Sequence, residues 1–313
     1  MNSFYIRCVK KKTLRIAVTG ANGQLGQELR ALEATHPEIE FHFFSKSEWD
    51  IAIESLDMEM LERLTPDAVI NAAAYTNVEK AEEDEEGAIT GNAKGPGYLA
   101  AACKKNGALL LHVSTDYVFD GQKTSPYEEA DDVHPLNAYG RSKLAGERAI
   151  DAVSDRYFIL RTSWLYSSFG HNFYKTMLRL AREKGQLTVV DDQIASPTYA
   201  GFLAKDLLEL IQKRLLLNQS IPYGIYHYTQ LGEASWFDFA RSIMLTHGLD
   251  IPVEPVSCAH FPTKAIRPSY SKLSTQLWER HTGISLCTWQ EGVIACAQAL
   301  GRNPKQPINL DPE

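Results

Sequence analysis

Cysteine is scarce in this 313-residue chain and is never arranged as a clip. Cys8, Cys103, Cys258, Cys287 and Cys296 are scattered and odd in number, with no Cys-x-x-Cys pair. That pattern argues against a zinc frame or a disulfide scaffold and for reduced thiols in a cytoplasmic protein. Long apolar runs are also missing. Nothing approaches the ~18 residues of a membrane span, so no membrane association is expected. Nor is there a basic excess. A net charge of −7 sets most of the surface against a phosphate backbone, so nucleic acid is not an expected partner, although a local pocket for a small anion stays possible. Residues 1–12 lack a long apolar core and read as a short basic extension rather than a signal peptide.

What the sequence does contain is enough apolar material for a core of normal density, at 44% hydrophobic and 23% charged residues. Apolar runs at 14–19, 39–44, 68–74, 108–114 and 157–162 read as strands. Helical spacing occupies 24–34, 56–64, 88–106 and 138–153 between them. Strands of this kind alternating with helices predict an α/β fold with a doubly wound parallel sheet. After residue 163 the alternation loosens. Helices are expected at 171–184, 202–216, 235–247 and 289–300, with short strands at 187–190 and 225–228. The expected division is a dinucleotide-binding, Rossmann-like domain over 13–165 and a smaller, mainly substrate-binding C-terminal lobe over 166–313, with some segments returning to the main sheet. The acidic run 79–86 (EKAEEDEE) reads as a solvated helix face.

The first strand ends in Gly20-Ala-Asn22-Gly23-Gln24-Leu25-Gly26, and a helix follows. In that context the glycines let the backbone turn sharply and approach a pyrophosphate, which rests on the helix N-terminus. At the end of the second strand, where an NAD enzyme commonly has a carboxylate, stand Ser45-Lys46-Ser47. Hydroxyls and a cation suit a 2′-phosphate, so NADPH is the expected cofactor, with NADH possible. Asp50 and Ile51 would lie near the adenine.

Tyr139 and Lys143 are four apart on the helix after the fourth strand and therefore share a face. A cation near the phenol is expected to lower its pKa from the ordinary ~10 and make it a general acid–base. Thr115, expected just past the fourth strand, can donate a hydrogen bond to a carbonyl oxygen as it gains charge, with Ser114 the second choice.

These residues, with 71–82 (NAAAYTNVEKAE), 114–121 (STDYVFDG), 135–147 (PLNAYGRSKLAGE), 161–166 (RTSWLY), 172–180 (NFYKTMLRL), 192–198 (DQIASPT) and 267–269 (RPS), resemble the extended short-chain dehydrogenase/reductases. The likeness covers about residues 14–300 and is strongest to the branch acting on a dTDP-linked keto-deoxy sugar. It implies reduction of the 4-keto group of dTDP-6-deoxy-L-lyxo-4-hexulose to dTDP-L-rhamnose. It implies a catalytic set of Thr115, Tyr139 and Lys143, and a sugar pocket of Asp116, Tyr117 and Trp164. Asn172 and Arg267 would help hold the nucleotide sugar, and Ala72, Ala73 and Tyr75 would border the cofactor. Some members hold a divalent metal through glutamates at a subunit contact. Glu28 matches one such position, but the counterparts of the others are Gly201 and Gln290, so no metal is expected, and the assembly is monomer or homodimer. Two alternatives remain at this stage: a non-catalytic, cofactor-binding regulatory subunit, and a reductase of another nucleotide-linked keto sugar.

Overall fold

The computed structural model describes residues 13–301. The basic extension at 1–12, with Cys8, lies outside the described residues. Five strands build most of the central sheet: β1 (Leu14–Thr19), β2 (Ile39–Phe44), β3 (Ala68–Asn71), β4 (Leu109–Thr115) and β5 (Tyr157–Thr162). The strand Gly224–His227 comes from the second half of the chain and pairs with β5. The order across the sheet is Gly224–His227, β5, β4, β3, β1, β2, and every pair is parallel. Direction of winding reverses between β1 and β3. Ligands of open α/β sheets bind outside the strand ends at such a reversal.

Side chains alternate across the pleat, so each strand serves two cores. Leu14, Ile16, Val18, Ile70, Leu111, Phe158 and Leu160 pack on one face beneath the helix Ala200–Leu215. Ala17, Val69, Leu110 and Ile159 pack on the other, with Leu99, Cys103 and Ile150 of the helices Gly95–Asn106 and Ala138–Val153. A third cluster belongs to the later residues. Tyr166, Tyr174, Leu178, Phe239, Ile243 and Trp289 bury the faces of the helices Phe173–Lys184, Trp236–His247 and Trp289–Ala299. Among the described residues Cys103, Cys258, Cys287 and Cys296 are unpaired, and no helix is long and apolar enough to cross a membrane.

Three departures from the sequence reading bear on the site. β3 stops at Asn71 rather than at 74, because the Asn71 side chain accepts the Ala73 N–H at 3.2 Å and turns the backbone out of the sheet. Thr115 is the last residue of β4 rather than the first beyond it. The helix expected over 88–106 is split into Glu85–Ile89, a π-turn at Thr90–Lys94, and Gly95–Asn106. Pro96 has no N–H for a regular ladder, and the wider turn pushes the Asn92 carbonyl towards Gly146, where a side chain would overlap it.

Candidate active site

A cleft of about 1290 Å³ opens at the carboxyl ends of the strands. Of the residues given a catalytic, cofactor-binding or substrate-binding role from the sequence, all except Gly26 and Arg267 line it. Gly20 has φ +68°, and a Cβ there would come within 2.6 Å of the Ala72–Ala73 backbone. Glycine is thus required there by the left-handed backbone and by the close packing of the loop against the chain leaving β3. Gly23 precedes the helix Gln24–Ala31 with no side-chain cap, so its first N–H groups face the cleft mouth unanswered by a side chain. Those features fit a dinucleotide pyrophosphate. Gly26 has a different task, since a Cβ there would strike Ala21 and the Gly20 carbonyl. It lets helix and loop pack together and is not a cleft residue.

Ser45 and Lys46 lie at one end of the cleft beside Asp50, Ile51 and Trp49. Ser45 is engaged by Glu48, whose carboxylate accepts both its N–H (2.8 Å) and its hydroxyl (2.7 Å). Lys46 is 85% exposed and only 3.7 Å from Asp50 Oδ2, a weak restraint on a cation that could turn to a phosphate.

At the other end stand Thr115, Tyr139 and Lys143. Thr115 accepts the Tyr117 N–H at 3.2 Å and donates to Asp116 Oδ1 at 3.1 Å. The expected lowering of the Tyr139 pKa is not found. Burial raises the phenol to about 12, and Asp116 acts in the same direction, while a bond from the Thr115 side chain opposes them. The reason is the aim of Lys143. Its Nζ donates to the Val113 carbonyl at 2.7 Å and lies 3.2 Å from His112 Nε2. Lys143 is itself 1% exposed, and burial brings it down to about 8, with Glu147 opposing. Ser114 drops out as the carbonyl donor, since its hydroxyl is given to Glu147 at 2.5 Å. Glu147 also holds Arg161 in a buried pair at 2.7 Å.

Asp116 is buried, and burial raises its carboxyl to about 7 against bonds from Ser271 (2.5 Å) and Thr115. The Tyr117 ring meets Tyr139 edge-on, with centroids 6.0 Å apart. Trp164 adopts φ +46° and stacks on Trp236 with centroids 3.5 Å apart and planes 10° from parallel. Trp236 and Phe173 line the cleft too and were missed in the sequence, where an aromatic on a helix reads as core.

Asn172 and Arg267 are placed less simply than the resemblance implies. Asn172 caps the helix Phe173–Lys184, and its amide donates to Gln24 Oε1 at 2.9 Å and to the Ser167 carbonyl at 2.8 Å. Most of its hydrogen bonding is internal, joining the glycine loop to the later helix. Arg267 lies off the cleft lining and pairs with Glu79 at 2.9 Å. The acidic run is largely exposed, as its reading as a solvated face expected, but several of its carboxylates have partners. Glu79 and Glu83 engage Arg267 and Lys264, Glu82 accepts the Ala138 N–H at 2.7 Å, and Glu85 pairs with Arg141. Asn92 was also missed. Its side chain bonds both the N–H and the carbonyl of Tyr75 and thereby fixes the cleft wall. Glu28 is buried against Ser167 (2.5 Å), which with Ser168 partly offsets the upward push of burial on its carboxyl. Among the described residues no cluster of three or more His, Cys, Asp or Glu could hold a metal.

A family model described as RmlD substrate binding domain matches residues 14–302. A protein of Aggregatibacter actinomycetemcomitans named dTDP-4-dehydrorhamnose reductase is 40% identical over 286 residues, 89% of this chain and 97% of that one. A reductase of the same name from Mycobacterium tuberculosis is 42% identical over 293 residues, covering 91% and 93%. Among solved structures, the enzyme of that name from Bacillus anthracis, in complex with NADP, superposes with a TM-score of 0.86 at 38% identity, over 92% of this chain and 99% of the other.

Proposed function

The chain belongs to the RmlD substrate binding domain family, and on that premise we propose that it is an NADPH-dependent reductase of a dTDP-linked keto-deoxy sugar. The reaction is reduction of the 4-keto group of dTDP-6-deoxy-L-lyxo-4-hexulose to the hydroxyl of dTDP-L-rhamnose. The observation that carries the reading is the meeting of Thr115 and Tyr139 at the end of β4, in the same cleft as the glycine loop.

NADPH, when bound, supplies the hydride. The Gly20–Gly23 turn and the helix N-terminus would hold its pyrophosphate, and Ser45 and Lys46 its 2′-phosphate. Ala72, Ala73, Tyr75, Asp50 and Ile51 border the same channel, and Lys143 would hold the nicotinamide ribose. Thr115 and Tyr139 bind the sugar carbonyl oxygen and lower the cost of charge as it develops there. Tyr139 then gives its proton to that oxygen. Its raised pKa keeps the phenol protonated, as reduction requires. Asp116, Tyr117 and Trp164 form the sugar wall. The lobe after residue 165 contributes Trp164's partner Trp236 and is read as the substrate-binding part of the chain.

Purified keto sugar incubated with NADPH, and separately with NADH, tests this reading. The expected result is cofactor oxidation matched mole for mole by dTDP-L-rhamnose, faster with NADPH. Folded protein that binds NADPH but oxidises none in the presence of the sugar would defeat it.

A further inference from the structure

Strand register lines up a row of polar side chains on the sheet face beneath the helix Ala138–Val153. Thr19 of β1 is paired with Asn71 of β3, and Asn71 with His112 of β4. All three are buried. The Thr19 hydroxyl donates to Asn71 Oδ1 at 2.8 Å, and the Ala73 N–H donates to the same oxygen. A backbone N–H can only donate, so the Asn71 amide cannot be turned round. Its Nδ2 therefore faces His112 Nδ1, 2.9 Å away, and Nδ1 must accept. Burial, reinforced by the charge of Lys143, holds His112 well below its ordinary pKa, so the ring is neutral. Its single proton is then on Nε2, aimed at Lys143 Nζ.

An ammonium group has donors only. Facing the His112 N–H, it finds no acceptor, and on the sheet side only the Val113 carbonyl takes one of its hydrogens. We propose that His112 is a positioning residue for Lys143: fixed as the Nε2–H tautomer by Asn71, it denies the ammonium an acceptor within the sheet and so directs its free N–H bonds to the cleft. The same opposition makes the proton of Lys143 easier to lose, because a neutral amine could accept the His112 N–H. Other ionisable neighbours do not produce this effect. Glu147, one turn on, favours the ammonium and is itself tied to Arg161 of β5. Tyr139, one turn back, is a neutral phenol. Glu82 and Glu85, from the short helices against the first turn, are engaged by the Ala138 N–H and Arg141.

The inference rests on the reading of Lys143 as a cofactor-side cation, but the tautomer can be measured without it. In protein labelled with ¹⁵N-histidine, long-range ¹H–¹⁵N correlation at neutral pH reports which ring nitrogen carries the proton, with His112→Gln used to assign the signal among nine histidines. A proton on Nε2 is expected, and one on Nδ1 overturns the proposal even if sugar reduction is demonstrated. The functional arm is Asn71→Asp. An acceptor opposite Nδ1 moves the proton to that nitrogen and leaves Nε2 as an acceptor for Lys143. NADPH affinity, titrated from pH 6 to 10, should fall about tenfold at neutral pH, as for a change to a residue that orients a ligand group. Its basic midpoint should move to higher pH. Repeating Asn71→Asp in a His112→Phe background separates the tautomer from the added charge, and the midpoint shift should then vanish. A shift that persists without the imidazole, or an affinity loss uniform at every pH, would overturn the proposal.

Discussion

Tyr139 begins the proposed cycle as a neutral phenol because the protein around it disfavours phenolate. Burial and Asp116 both act that way. A reductase needs a donor at this position, so a high pKa is no obstacle until the proton has been given. Tyr139→Phe should leave NADPH binding within about twofold of the parent and lower turnover by about 10²–10⁴, the usual range for a positioned acid. Fluorescence titration of the cofactor and steady-state rates with keto sugar measure the two effects. Turnover within a fewfold of the parent would remove Tyr139 from the proton-transfer role. Trp164 shows a second residue-scale feature. A tryptophan at φ +46° is uncommon for a side chain of its size, and its stacking on Trp236 helps hold that conformation.

At the scale of elements, the helix Ala138–Val153 depends on space left by its neighbours. Gly146 faces the Asn92 carbonyl of the π-turn with no room for a methyl group. Gly146→Ala should therefore force the two helices apart and destabilise the protein by about 2–3 kcal/mol, as overpacking does, despite alanine's better helix propensity. Urea unfolding would measure it, and a stabilised variant would show that the contact yields easily. Legibility in the sequence divides along the same lines. The strands were readable because a sheet buried on both faces writes itself as continuous apolar runs, and 14–19, 39–44 and 157–162 match the observed bounds. The glycine loop and the Tyr139–Lys143 spacing were readable because they are local. The π-turn was not, because Pro96 in the first turn of a helix is equally compatible with a regular α-helical start, and the Asn92–Gly146 contact that accompanies the wider turn joins segments distant in the sequence. The aim of Lys143 towards Val113 and His112, and the partners of Asn172 and Arg267, depend on residues roughly 30 to 190 positions away. No local pattern encodes such contacts.

At the scale of the molecule, several carboxyl groups are folded into places that disfavour their charge. Burial raises Asp57 and Asp116 to about 7 and Asp206 to about 6. Each binds its proton more tightly folded than unfolded. Its contribution to stability is therefore complete below about pH 4 and is lost as pH rises through the folded value. Asp57 is the clearest case, since one oxygen accepts the Trp49 indole N–H at 2.6 Å and the other has no hydrogen-bond partner. Asp57→Asn should gain about 2 kcal/mol over the parent between pH 5 and pH 8, read from urea midpoints at the two values. An equal effect at both would show that Asp57 does not titrate in this window.

The acidic run 79–86 has one further consequence. Its pairs with Lys264 and Arg267 are exposed or half-exposed, so dissolved ions compete for them. The Glu82 bond to the Ala138 amide is less open to such competition because its partner is a buried main-chain group. Ionic strength thus acts as a graded dial on this protein, slackening the 264–267 segment while the start of the helix that carries Tyr139 keeps its place.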